Sequence, residues 1–130
     1  MFSIMASTPK PTEAELAILA VLWRRGASTV REVYDEINRS RAIGYTTVLK
    51  LMQIMHAKGL LNRDRTQRSH VYSPKPSEQH TQRQLVKDLL ERAFGGSARK
   101  LVMSALSAGK TSPQELAEIR ELLDQMNANA

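Results

Sequence analysis

The chain has 130 residues, a formal net charge of +6 and no cysteine, which excludes disulfides, thiolate metal sites and cysteine redox switches. Residues 1–75 hold 12 basic and six acidic residues, whereas residues 76–130 hold seven of each, so the N-terminal part carries the whole net charge. This length and asymmetry favour a small domain that meets a polyanion, followed by a part that meets protein.

The N-terminal part begins with an aperiodic segment and a capped helix. Residues 1–10 are predicted to form a flexible N-terminal arm. Thr12 and Glu15 form a capping box, and the helix that follows runs to about Arg24 before Gly26. Its predicted apolar face is Leu16, Leu19, Ala20 and Trp23. The longest apolar run has eight residues, far from the roughly 20 that span a bilayer, which favours a soluble, cytoplasmic protein without membrane insertion.

Two further helices follow at short spacing. Thr29 and Glu32 repeat the capping box, and helix two carries apolar residues at helical spacing until about Asn38. These residues are Val30, Val33, Tyr34 and Ile37. Helix three is predicted from about Tyr45 to Ala57 and ends at Gly59. Its buried stripe is Val48, either Leu51 or Met52, and Met55.

The pattern then changes to two short strands, residues 61–65 and 69–73, joined by the turn Thr66-Gln67-Arg68. Three helices followed by a hairpin predict a winged helix-turn-helix domain over residues 11–75, with the hairpin as the wing. The predicted fold class is mainly α with a small β-hairpin wing.

Residues 76–130 are predicted to form a helical dimerisation domain. A helix from about Ser77 to Phe94 ends at Gly95-Gly96, Ser97 caps a short second helix, and Ser112-Pro113-Gln114-Glu115 starts a third. Three helices of this size bury too little apolar surface alone, and a second copy is the commonest solution. The predicted dimerisation residues are Leu85, Leu89, Leu101, Val102, Leu106, Leu116, Ile119, Leu122 and Leu123.

The candidate DNA interface lies in residues 39–75, which contain eight Lys and Arg against one acid, Asp64. A helix can enter the major groove while a basic hairpin follows the phosphate backbone. The predicted recognition-helix contacts are Tyr45, Thr46, Thr47, Lys50 and Gln53, and those of the wing and loop are Arg41, Arg63, Arg65, Arg68 and His70. Two alternatives stay open: Thr46 and Thr47 only cap the helix, or the wing charges only aid solubility.

Other chemistry has little support in the sequence. The three histidines lack carboxylate or thiolate partners at ligand spacing, so no metal or other cofactor is expected. Gly109-Lys110-Thr111 resembles the end of a phosphate loop, but Ser104 stands where that motif needs glycine. No nucleophile and base stand at recognisable spacing, so an enzyme is not expected.

Taken together, the motifs resemble the penicillinase repressor family, which includes the β-lactamase, methicillin-resistance and copper-responsive repressors. The resemblance covers about residues 11–126 and rests on the order and spacing of six segments. They are Pro11 to Leu16 with Leu22-Trp23, Val30 to Val33, Tyr45 to Val48, Lys58 to Leu61, His70 to Tyr72, and Ser112 to Leu116.

The resemblance implies a homodimeric transcriptional repressor on a two-fold operator, relieved when a membrane sensor-protease cuts its dimerisation region. Ser104-Ala105 stands where the staphylococcal-type repressors have the cleaved Asn-Phe bond, and the cysteine cluster of the copper-responsive branch is missing. Two other functions compete with a sequence-specific repressor, namely a protein-interaction module and an architectural DNA binder without sequence preference.

Overall fold

A computed structural model describes residues 8–130 of the chain. Within them lie six helices: α1 Glu13–Arg25, α2 Val30–Ile37, α3 Tyr45–Lys58, α4 Glu78–Ala93, α5 Ala98–Ala108 and α6 Pro113–Ala128. Three strands complete the described part: β1 Ser28–Thr29, β2 Leu61–Asp64 and β3 Val71–Pro74. The predicted N-terminal arm, residues 1–10, lies mostly outside the described residues. The fold class, mainly α with a small antiparallel sheet, is confirmed.

Helix α1 starts where the sequence predicts but buries a different face. Both bonds of the Thr12/Glu15 capping box are present, and Gly26 ends the helix. The core side of α1 is formed by Glu15, Ile18, Leu19, Val21 and Leu22. The predicted face was therefore wrong: Ala20 is exposed, and Leu16 and Trp23 are only half-buried. In a continuous apolar run the helical period does not mark one face, so the neighbouring elements decide which side is buried.

Helices α2 and α3 match their predicted limits closely. Thr29 and Glu32 form the second capping box, and Gly59 ends α3 with φ 86°, a left-handed conformation that favours glycine. The buried stripe of α3 is Val48, Met52 and Met55, which decides between Leu51 and Met52 in favour of Met52. These side chains pack with those of α1 and α2 into one core.

The sheet has three strands, one more than the hairpin predicted. The strand order is β1-β3-β2 and both pairs are antiparallel. Ser28 pairs with Tyr72, and Tyr72 also pairs with Arg63 on the other side. A strand of two residues is too short to show an alternating pattern in the sequence. Strand β1 is therefore recognisable only from its pairing with β3, which is distant in sequence. The loop between β2 and β3 covers residues 65–70 and is longer than the predicted turn.

The chain divides into two compact units, one ending at Val86 and the other covering Lys87–Ala130, so the division falls within α4. The predicted domain limits, 11–75 and 76–130, stay a prediction. In the second unit α4 ends before Gly95 and Gly96, which have φ 56° and 82°. Ser97 and Ser112 cap α5 and α6 as predicted, each accepting a hydrogen bond from a backbone N–H three residues on.

Candidate nucleic-acid interface

The start of α3 differs from that of the other capped helices. Its N-cap is Gly44, which makes no side-chain capping bond, whereas Thr or Ser caps α1, α2, α5 and α6. The alternative that Thr46 and Thr47 cap the helix is therefore wrong, because both lie inside its first turn. The first N–H groups of a helix lack intrahelical partners and favour a negative group, so this end of α3 can accept one from outside.

The polar side chains of α3 share an exposed surface. At 100° per residue, Thr46, Lys50 and Gln53 fall on one narrow face of the helix, with Thr47 beside it. All four are exposed, opposite the buried stripe. Ile54 is also exposed, at 43%. Hydroxyl, ammonium and amide groups on a protruding helix are the groups that read base edges in the major groove.

A pair of tyrosines joins the helices of the helix-turn-helix. The rings of Tyr34 and Tyr45 meet edge to face, with centroids 5.6 Å apart. The guanidinium of Arg31 lies 5.5 Å from the centroid of the Tyr34 ring. Tyr45 is 40% exposed at the first position of α3, so its ring both supports the helix and faces outward. Such aromatic pairs contribute about 0.5–1.5 kcal/mol beyond their buried area.

The predicted wing residues do not share one environment. Arg65, Arg68 and His70 are exposed in the loop between the strands, as is Arg41 in the loop before α3. Arg63 is half-buried on β2, and its Nε is buried without a hydrogen-bond partner in the described part of the chain. The structure therefore brings Arg65, Arg68 and His70 to the loop at the tip of the wing and holds Arg63 lower, where it pairs with Tyr72.

The single acid of the basic region is engaged locally. Asp64 accepts hydrogen bonds from the Thr66 backbone N–H at 2.9 Å and the Thr66 hydroxyl at 2.7 Å. These bonds, the backbone one above all, lower the pKa of the Asp64 carboxyl. Asp64 thus shapes the wing turn, and none of the salt bridges found in residues 8–130 joins it to a wing arginine.

An ion pair between Lys58 and the buried carboxylate of Glu15 anchors the far end of α3. Lys58 Nζ lies 2.8 and 2.9 Å from the two carboxylate oxygens of Glu15, whose side chain is 3% exposed. Burial alone would raise the pKa of Glu15, but the bonds from Lys58 and Thr12 lower it. Sequence reasoning assigned Glu15 only to the helix cap and missed this contact, because no local signal connects residues so far apart.

A cleft of about 230 Å³ opens between the start of α2, the start of α3 and the wing. Its walls include Arg31 from α2, Tyr45 and Leu49 from α3, and Arg68 and His70 from the wing. No carboxylate lines it. The structure thus groups three predicted contacts, Tyr45, Arg68 and His70, with an arginine that was not predicted. Glu32 and Asp35 follow Arg31 closely, so the sequence shows no basic cluster there.

The predicted dimerisation residues lie on α4, α5 and α6. Leu89, Val102, Leu116, Leu122 and Leu123 are between 42% and 56% exposed in the single chain. The other predicted residues, Leu85, Leu101, Leu106 and Ile119, are half-buried. Ser104 and Ala105, the predicted cleavage region, are exposed within α5.

Two kinds of feature are absent from the described residues. Residues 8–130 contain no helix whose length and apolarity would let it cross a bilayer. The same residues hold no group of three or more His, Asp and Glu side chains arranged to bind a metal ion.

Comparison with known proteins identifies the family. The family model described as penicillinase repressor matches residues 11–125. The penicillinase repressor of Bacillus licheniformis is 24% identical over 121 residues, covering 93% of this chain and 94% of that protein. The transcriptional regulator BlaI of Mycobacterium tuberculosis is 29% identical over 100 residues, covering 76% of this chain and 72% of its own.

Solved structures agree with this assignment. The solution structure of the DNA-binding domain of the repressor BlaI superposes with a TM-score of 0.50 at 26% identity, covering 55% of this chain and 88% of that one. The same values hold for the monomeric form of Bacillus licheniformis BlaI in complex with the blaP half-operator. The winged-helix fold, the motif spacing and the match over residues 11–125 show that this chain belongs to the penicillinase repressor family.

Proposed function

We propose that this protein is a cytoplasmic transcriptional repressor that binds a two-fold DNA operator as a homodimer. The observation that carries the proposal is the exposed polar face of α3 beside a cleft that Arg31, Arg68 and His70 line and no carboxylate lines. Relatives are named as repressors, and one is solved on a half-operator. Sequence-specific readout belongs to α3, and the wing adds phosphate contacts that are independent of sequence.

The homodimer is supported by where apolar side chains stay exposed. Among residues 8–130, ten large apolar residues are prominently exposed; eight lie between Val86 and Met126, and the other two, Tyr45 and Ile54, are on α3. No residue between positions 82 and 130 is buried in the single chain. A unit of three helices without a buried core needs another surface to pack against. A second copy related by a two-fold axis supplies that surface and places two winged-helix domains, called heads below, on one operator.

Derepression by proteolysis is part of the same proposal. A cut at or near Ser104-Ala105 in α5 would separate the two heads, and each head would then lose the high effective concentration that the tether gives it. The exposure of both residues supports access by a membrane sensor-protease. The regulator itself performs no chemistry in this scheme and is therefore not an enzyme.

The test is a titration of the full chain against the duplex upstream of its own gene and against a scrambled duplex, at two salt concentrations. Thr46→Ala and Lys50→Ala should each weaken operator binding by about 1–3 kcal/mol per contact while the dimer persists. Lys110→Ala, with the same charge loss in the α5–α6 loop, is the matched control and should bind like the parent. Equal affinity for both duplexes would indicate an architectural binder, and binding to neither would favour a protein-interaction module.

A further inference from the structure

The cleft between α2, α3 and the wing has the composition of an anion site. Arg31, Arg68 and His70 reach it from two different elements, and Ser69 adds a hydroxyl group. Thr29 also lines the cleft, but its hydroxyl already donates to Glu32 at 3.3 Å. The apolar part of the wall comes from Val30 and Leu49. Cationic and hydroxyl donors without a carboxylate in the lining favour a group that is negatively charged and rich in oxygen acceptors.

Two helix N-termini border the same cleft. Thr29 is the N-cap of α2, and Tyr45 is the first residue of α3, which has no side-chain cap. The positive ends of both helix dipoles therefore add to the charges of the side chains. Since one liquid water occupies about 30 Å³, a cleft of about 230 Å³ has room for a phosphate group with bridging waters.

Arg31 is held in place for such a contact. Its Nε lies 3.4 Å from an oxygen of Asp35, and its guanidinium rests over the Tyr34 ring. Asp35 offsets part of the charge, but a guanidinium has five N–H donors, and its terminal nitrogens stay available after one pairing. The side chain remains 69% exposed, so a ligand can reach it.

We propose that this cleft holds one phosphodiester group of the bound DNA, contacted by Arg31 from α2 together with Arg68 and His70 from the wing. The proposal rests on the proposed function, because it assumes that α3 and the wing face a duplex. The occupied cleft would fix the distance between α3 in the groove and the wing on the backbone. Arg31 would then set the register of the head without reading any base.

The test compares Arg31→Met with Arg24→Met in the full-length protein. Arg24 is the matched control because it is similarly exposed, at 63%, and similarly paired, with Glu36 at 3.6 Å, but it does not line the cleft. Arg31→Met should weaken operator and scrambled duplex alike, by about tenfold per bound head, and lower the slope of log affinity against log salt by about 1 per head. Arg24→Met should change neither.

A scan with single methylphosphonate linkages, which remove one backbone charge at a time, then identifies the phosphate. The parent should lose affinity at each linkage whose phosphate it contacts, and Arg31→Met should become insensitive at one of those positions in each half-site. If every linkage affects the parent and Arg31→Met equally, the cleft does not hold a DNA phosphate, and the repressor proposal stands as long as the parent prefers its operator. If the parent binds no duplex at all, both proposals fail.

Discussion

Replacing Lys58 with methionine tests whether its ion pair with Glu15 stabilises the winged-helix unit. Lys58 Nζ bonds both oxygens of Glu15, so the variant leaves that carboxylate buried, with the Thr12 N–H at 2.9 Å as its remaining backbone donor. Breaking a buried pair costs about 3–5 kcal/mol. Because the Lys58 side chain is 34% exposed, water reaches the site, and we expect a loss of about 2–3 kcal/mol in the free energy of unfolding.

The assay is urea denaturation followed by the fluorescence of Trp23, the only tryptophan in the chain. Trp23 lies on α1 and donates its indole N–H to the Pro76 carbonyl at 3.1 Å, so its signal reports on the winged-helix unit. Arg39→Met is the control. It removes a surface pair with Glu36 in which the Arg39 side chain is 81% exposed, and it should cost less than about 1 kcal/mol.

The double variant Glu15→Gln/Lys58→Met separates the stranded carboxylate from the lost packing of the lysine side chain as causes of the loss, because glutamine removes the charge but keeps an oxygen that can accept the Thr12 N–H. If the damage comes from the stranded carboxylate, removing both charges should restore stability to within about 1 kcal/mol of the parent. If Lys58→Met lowers the free energy of unfolding no more than Arg39→Met does, the Lys58–Glu15 pair contributes no more than a surface pair. That result would refute the expectation that burial of Glu15 makes its pairing important.

Acid should distinguish the parent from Lys58→Met. In the parent the pKa of Glu15 lies below its ordinary value of 4.5, so its stabilisation is present above that value and is lost as the pH falls through the lowered pKa. In Lys58→Met the lowering effect of Lys58 is gone, so the pKa of Glu15 is higher than in the parent, and protonation on acidification relieves the stranded charge. The stability difference between the two proteins should therefore shrink on acidification. A constant difference would contradict this account.

Three further predictions concern other parts of the molecule. Gly59→Ala should lower the free energy of unfolding, measured by urea denaturation, by about 1–2 kcal/mol, because φ at this position is +86°. The cost is backbone strain alone, since nothing lies within 4 Å of the added methyl group. Gly44→Ala, at φ −75°, is the control and should not show this cost. Arg65→Ala should weaken operator and random duplex equally and lower the salt slope by about 1 per head, and an unchanged slope would remove Arg65 from the DNA contacts. Leu122→Asp, at a side chain 55% exposed, should shift the parent's dimer to monomer in sedimentation, and a monomeric parent would overturn the dimer proposal.

Features that depend on neighbours a few residues apart could be predicted from the amino-acid sequence. Capping boxes at Thr12 and Thr29, the serine caps and the glycine stops fixed the helix limits, because each involves bonds across only three to six residues. The uneven charge could also be read directly, as could the buried stripe of α3 apart from the choice between Leu51 and Met52. The motif order was enough to predict the family and the winged-helix class. The choice of contact residues within α3 and the wing remains a prediction.

Features that depend on residues distant in sequence could be seen only in the folded chain. The buried face of α1 was mispredicted because an unbroken apolar run contains no angular information until α2 and α3 pack against it. Strand β1 exists through its pairing with β3, and the Glu15–Lys58 pair joins opposite ends of two helices. The cleft also depends on long-range packing, because it places Arg31 of α2 near Arg68 and His70 of the wing. Long-range packing sets these contacts, and no local sequence pattern specifies which distant residue a given side chain will contact.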